Sequence, residues 1–234
     1  PPSGYMTSEL VSFLASKAGK LAGQFLTLCI RAIDDCPPID LQLGEYLRAL
    51  ITADRERVPD DLWAYRDALI AAFVERGIYP AGVNQVSEDA LVWKPPERYI
   101  EPARELHFAN LRFAGDPSLP ASEAELIRQA EALWDHIARP HVADEFGLAP
   151  DGVDNAEPCV VESIRTTRRA GPDGQVLFDI VAEVTQRRRI VDPQTGSEMK
   201  FHGGCTIILG PEGEVRYIVS KNVRNQERMN RQID

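Results

Sequence analysis

A change of period near Glu157 constrains this chain more than any other feature. Before it, apolar residues recur every three to four positions; after it, they alternate one by one. The longer period gathers apolar side chains on one face of a helix, and the shorter gathers them on one face of a strand. The chain is therefore expected to fold as α+β: an N-terminal α-helical subdomain, followed by a helix packed on a four-stranded antiparallel meander.

In the first half, Leu10, Leu14, Ala18, Leu21, Phe25, Leu28, Cys29 and Ala32 predict one helix over residues 8–33. Its apolar arc spans about 160°, against the roughly 100° stripe of an ordinary surface helix. Lys17, Lys20, Gln24 and Arg31 take the opposite side, and Asp34-Asp35-Cys36-Pro37-Pro38 ends the helix, because proline disfavours helical backbone in the residue before it. A second helix is expected after Asp40 as N-cap, with Leu43, Leu47, Leu50 and Ile51 facing inward. Pro59-Asp60-Asp61 opens a third, which carries Leu62, Tyr65, Leu69, Ala72 and Phe73, with Gly77 at its C-terminal cap. Ser87 starts a short one.

Pro95, Pro96, Pro102, Pro117 and Pro120 mark a connector over 96–120, between a helical segment at 1–95 and an α+β domain at 121–234. That domain opens with a helix at 122–139, where Ser122 and Glu125 form a capping box and Leu126, Ala130, Leu133, Trp134 and Ile137 share a face. In the strands, Val176, Phe178, Ile180, Ala182 and Val184 point one way, and Asp179, Glu183 and Thr185 the other. Phe201, Cys205, Ile207 and Leu209 form a second set and Val215, Tyr217 and Val219 a third. Gly171-Pro172-Asp173-Gly174, Asp192-Pro193-Gln194-Thr195-Gly196 and Gly210-Pro211-Glu212-Gly213 supply the turns. The helix at 122–139 is expected to cover the apolar face, and the other face to meet water. From Arg224 the chain is polar and reads as a short terminal helix or frayed tail.

The net charge of −10 argues against general nucleic-acid binding, which rests on basic surface. From Glu157 onward there are twelve Lys/Arg and eleven Asp/Glu, so the acidic excess lies upstream. No run approaches the roughly 20 apolar residues of a membrane span, and the first residues do not read as an export signal, although a start at Pro1 fits a processed or excised product. Cys29, Cys36, Cys159 and Cys205 are too few for a disulfide scaffold. On one helix, Cys29 and Cys36 would stand about 10 Å apart, beyond bridging distance. Reduced thiols in a cytoplasmic protein are the expectation.

The four histidines, His107, His136, His141 and His202, include no pair one helical turn apart with an intervening Glu, as an H-E-x-x-H zinc site requires. His136 and His141 are separated by Pro140. His141 and Glu145 have i, i+4 spacing, which suits a solvated or capping pair better than a metal site. His202 and Cys205 are three apart on a strand, hence on opposite faces, and Cys205 belongs to the apolar set. Gly203-Gly204 marks a bulge or a close backbone approach. Arg165, Arg168, Arg169 and Arg187-Arg188-Arg189 make the strands locally basic, and Arg187 and Arg189 share a side on which an acidic partner would fit. No catalytic, cofactor-binding or metal-binding residue emerges from these patterns.

One stretch carries a family likeness. Residues 17–25, Lys-Ala-Gly-Lys-Leu-Ala-Gly-Gln-Phe, lead to Asp40-Leu41-Gln42-Leu43-Gly44-Glu45-Tyr46-Leu47-Arg48-Ala49-Leu50-Ile51-Thr52-Ala53-Asp54. Then come Tyr65-Arg66-Asp67-Ala68-Leu69-Ile70-Ala71-Ala72-Phe73 and a close on Gly77-Ile78. This succession resembles the last helices of thermolysin-like (gluzincin) zinc metallopeptidases, whose final helix ends in a similar Ala-Phe…Gly turn. The resemblance implies the non-catalytic C-terminal region of such a peptidase, with a structural or partner-positioning role. The zinc and its ligands would lie only in the upstream catalytic region of the parent. The alternative is a free-standing protein-interaction module with a basic sheet face. Either way the wide helix over 8–33 needs a cover, from the upstream catalytic region of the parent or from a second copy, because soluble chains avoid large exposed apolar patches.

Overall fold

The computed structural model describes residues 4–113, 115–117, 119–140, 142–150, 152–170, 175–192 and 195–233. The alternating half folds into four strands: β1 (Val160–Ala170), β2 (Val176–Val191), β3 (Glu198–Leu209) and β4 (Val215–Lys221). They pair antiparallel in the order β1-β2-β3-β4, a meander in which strands adjacent in sequence are neighbours in the sheet. The helical half supplies α1 (Ser8–Arg31), α2 (Leu43–Arg57), α3 (Tyr65–Val74) and α4 (Glu88–Leu91). Next come α5 (Glu123–Ile137), which precedes the sheet, and α6 (Gln226–Ile233), which follows it. The α+β architecture read from the periods is the one observed.

On one face of the sheet Ile164, Ile180, Ala182, Val184, Cys205, Ile207 and Leu209 make the main core, with Leu133 and Ile137 of α5 and Leu106 and Leu111 of the connector. Burying each of these large side chains stabilises by roughly 1.5–3 kcal/mol relative to exposure. The connector is also pinned at the β3–β4 turn, where Ala103 N–H donates to Gly213 O at 2.8 Å and Phe108 N–H to Pro211 O at 2.8 Å.

The other face is covered over the part nearest Asp179 and Thr206, while Arg187 and Arg189 at its far end stay exposed. The turn at Ala32–Asp35 and α2 lie across it: Thr206 Oγ1 donates to Cys36 O at 2.6 Å, and Arg165 Nη2 lies 2.7 Å from Asp34 Oδ1. Lys221 Nζ lies 2.6 Å from Glu45 Oε1 on the same side. The molecule thus stacks in three layers, and Asp179, expected on an open face, is only 2% exposed.

Several local details depart from the sequence reading. The Val215–Tyr217–Val219 set is split by a register shift opposite Ile208 and Leu209, so that Val215 and Ile218 join the main core. Gly203 and Gly204 sit in unbroken β2–β3 register, so the close approach holds and the bulge does not: a Cβ on Gly203 would come within 2.4 Å of Val223 Cβ. Asp40 does not cap α2, which begins after Gln42; Glu45 Oε2 accepts from Gln42 N–H at 3.0 Å, and Asp40 pairs with Arg228. Ser122 Oγ accepts from Glu125 N–H at 3.4 Å, but the reciprocal half of the box is replaced. The Glu125 carboxylate instead takes Arg128, Gln129 and the Arg112 N–H, and these partners, Arg128 foremost, hold it down to about 2. Gly77 ends α3 as read: at φ +70° it allows Ile78 N–H to reach Phe73 O and its own N–H to reach Val74 O. The turn at Gly171–Gly174 lies outside the described residues, as do Pro193 and Gln194.

Candidate functional site: an apolar groove beside a buried charge network

α1 starts cleanly, with Thr7 Oγ1 accepting from Leu10 N–H at 3.3 Å, Glu9 in its first turn and Arg31 in its last, each suited to the helix dipole. None of its residues is buried, and those from Ser8 to Thr27 are exposed on every face. Only the C-terminal end, Leu28 and Cys29, packs on α2, where Tyr46 Oη donates to Cys29 O at 2.9 Å. The wide arc read from the sequence therefore lies open.

Beside that end runs a groove of about 630 Å³. Leu21, Phe25 and Leu28 form one wall, and Leu62, Trp63, Tyr65 and Leu69 the other. Sequence periodicity puts Leu62 inside the third helix; α3 in fact begins at Tyr65, after Ala64 takes a left-handed φ of 53°. Leu62 and Trp63 consequently stand on a loop, 86% and 79% exposed.

The loop is held by Arg66, only 3% exposed. Its Nη1 donates to Asp54 Oδ2 at 2.8 Å and to Val58 O at 2.7 Å, and Nη2 donates to Pro59 O at 3.1 Å. Nε lies 2.9 Å from Glu88 Oε2, without the alignment of a hydrogen bond. Asp61 caps α3, accepting from Tyr65 N–H at 2.9 Å and Arg66 N–H at 2.8 Å. Two large apolar side chains are thereby displayed on fixed backbone, as binding loops on rigid scaffolds commonly are.

Arg31, Ala53 and Arg57 also line a second, polar cavity of about 60 Å³ between α2 and the sheet. Asp179 accepts from Arg169 Nε and from Arg216 Nη1, each at 2.6 Å, and Arg216 reaches on to Glu56. Arg165 bridges Asp34 and Glu183 at 2.7 and 3.2 Å. Burial raises Asp35 well above the ordinary carboxylate range; Glu56 and Asp34 add to the effect and Arg216 opposes it. Burial and Glu56 likewise push Tyr217 up to about 12. At about 60 Å³ this space is far below the roughly 300–1,000 Å³ of small-molecule sites. It ties two layers together, whereas the groove has the size of a binding site.

The other residues singled out from the sequence do not converge. His107 accepts from Ala109 N–H through Nδ1 at 3.1 Å, so its Nε2 proton faces Glu212 Oε2 at 2.7 Å. His136 is buried in α5, and burial, with Arg139 nearby, lowers its pKa. His202 is exposed on the opposite face from Cys205, which is fully buried with its pKa raised by burial. His141 lies outside the described residues, and Glu145 pairs with Arg98 at 3.2 Å. Arg187 and Arg189 are both exposed; Arg189 Nε lies 3.4 Å from Glu157 Oε1, and Arg188 donates to Asp154 O. Among the described residues, no group of three or more His, Cys, Asp or Glu is arranged to hold a metal ion, and no helix is long and apolar enough to cross a membrane.

The chain matches no protein-family model, no curated protein and no solved structure.

Proposed function

We propose that this chain is a non-catalytic docking unit, whose groove and open α1 face receive an apolar helical segment of another polypeptide. The observation that carries the reading is the display of Leu62 and Trp63 on a loop locked by Arg66, directly across a groove from Phe25 and Leu28. Tryptophan is among the side chains enriched at the energetic centres of protein interfaces, and a helix laid into an apolar groove is a recurrent recognition mode. The reading agrees with the structural or partner-positioning role that the thermolysin-like resemblance implies. In such a parent, any zinc chemistry belongs to the catalytic region upstream.

The test is hydrogen exchange on the intact chain, with and without a panel of Leu-rich amphipathic helical peptides. Slowed exchange confined to residues 21–31 and 62–74 is expected, with Trp63→Ala weakening binding at least tenfold. If no peptide protects these residues, the reading is wrong.

A further inference from the structure

We infer that the docked segment is an acidic-ended helix of another protein, apolar along one face, with carboxylates in its last turn seated against Arg31 and Arg57. This rests on the docking reading and specifies its partner by charge and direction. On α1 the groove wall runs from Leu21 to Arg31, and Leu21, Gln24, Phe25, Leu28 and Arg31 share one face of the helix. At 1.5 Å per residue that wall is about 15 Å long, which matches about three turns of a partner helix. It is apolar over most of its length and ends in a cation. Arg57, in the last turn of α2, lines the groove as well, and with Arg31 and Ala53 it also borders the polar cavity beyond. The two arginines therefore stand together where the groove adjoins that cavity.

What sets them apart is that neither meets a carboxylate. Both are exposed; among the described residues Arg57 has no polar partner, and Arg31 reaches only the Arg168 carbonyl, at 3.5 Å. The cavity behind them has no carboxylate to spare. Asp179 is taken by Arg169 and Arg216, Glu56 by Arg216 and Asp34 by Arg165, and burial favours the neutral form of Asp35. In the groove itself Asp54 accepts from Arg66 Nη1, and Asp61 from the Tyr65 and Arg66 N–H groups. Asp60 is then the one carboxylate of the lining without a partner among the described residues. Two cations against one carboxylate make the groove locally basic on a chain of net charge −10. An acidic segment is attracted here and opposed by the net negative charge of the rest of the chain, which favours a single seat. Direction follows from helix electrostatics. The C-terminal end of a helix carries partial negative charge and free carbonyls, and both suit a pair of guanidinium groups.

Titration calorimetry of the full chain with three synthetic helical peptides tests the inference. The peptides share one Leu-rich face and end in Glu-Glu, Gln-Gln or Lys-Lys. At low salt the Glu-Glu peptide is expected to bind about tenfold more tightly than the Lys-Lys peptide, two exposed ion pairs being gained in one case and lost to repulsion in the other. High salt should close most of that gap, because exposed charges are screened. Arg57→Gln should narrow the gap and Arg57→Glu should reverse it, while the Gln-Gln peptide binds as before. Arg57 is exposed, so both variants should keep the circular dichroism of the parent. Moving Glu-Glu to the first turn of the peptide should remove its advantage. Equal affinities for the Glu-Glu and Lys-Lys peptides overturn the inference, as does a preference that Arg57→Glu leaves in place. A dimer mass for the chain alone, abolished by Phe25→Glu, would put a second copy in the groove, and laurate binding more tightly than the Glu-Glu peptide in competition would put a lipid there; either result also overturns it. Peptides that bind without a charge preference leave the docking reading standing and remove this inference alone; if none binds, both fall.

Discussion

Arg66 donates to Asp54 at 2.8 Å across the turn between α2 and α3, and together with its bonds to the Val58 and Pro59 carbonyls that contact orients the loop whose apolar tip forms a wall of the groove. Removing the guanidinium leaves the Asp54 carboxylate and the Val58 and Pro59 carbonyls without their donor, while Asp61 keeps the Tyr65 and Arg66 backbone N–H groups and Glu88 keeps Arg55. Arg66→Ala is expected to cost about 3 kcal/mol, near the lower bound for a broken buried pair because the carboxylates keep some solvent. Arg66→Lys should recover less than half of it, since an ammonium cannot span acceptors held in a planar fork. Urea unfolding of the two variants checks both values, and equal stabilities would show that charge alone sustains the loop.

Asp35 gives the folded state a pH dependence of definite sign. Its folded pKa is raised above 3.8, so its contribution is fully present below that value and is lost as pH rises through the folded one. Asp35→Asn cannot ionise. The two proteins should unfold at matching urea concentrations near pH 4. Above it the asparagine variant should pull ahead, by roughly 1.4 kcal/mol per pH unit until the folded pKa is passed. A gap that does not widen with pH would mean that the carboxyl ionises freely.

Gly203 and Gly19 should respond oppositely to alanine. At Gly203 the new methyl meets the Val223 backbone, with Cα at 2.6 Å, and β3 is fixed on both sides by its neighbours. A loss of about 2–3 kcal/mol is expected. At Gly19 nothing lies within 4 Å, and alanine removes a conformational penalty, for a gain of about 0.5–1 kcal/mol in helix stability. Thermal unfolding followed at the sheet and helicity measured at low temperature separate the two effects.

Much of this was legible in the sequence, and what was not has a common cause. Alternation shows which residues share a face of a strand, but not what lies above the second face. Asp179 and Arg216 are 37 residues apart and meet through the pairing of β2 and β4 with β3, beneath α2. The exposed arc of α1 was readable because a helix writes its faces into local spacing. The loop of Leu62 and Trp63 was not readable, because it depends on Ala64 taking a left-handed conformation that alanine ordinarily avoids. Arg66 looked like any helical arginine until its carbonyl partners were in place.

The thiols should divide into two classes. Cys205 is wholly buried, and burial with Asp35 and Glu45 nearby pushes Cys36 up to about 12, so neither holds appreciable thiolate at neutral pH. Cys29 and Cys159 are half-buried. With a disulfide reagent at pH 8, Cys36 and Cys205 are expected to react only at the rate of global unfolding. Modification of either faster than urea-extrapolated unfolding would reveal a local opening of the three-layer stack.

That stack also bears on the order in which the chain acquires its structure. The contacts that fasten the helical layer to the sheet join residues 131, 160 and 170 positions apart: Asp34 with Arg165, Glu56 with Arg216, and Cys36 with Thr206. The β2–β3 hairpin and the α2–α3 pair close over far shorter loops, so their entropy of closure is smaller and they form sooner. During synthesis the helices emerge long before the strands that will cover Asp35. For that interval the surface later sealed against the sheet stands open to solvent, alongside the apolar flank of α1. A nascent chain of this protein thus exposes two adhesive surfaces, of which the finished fold conceals only one.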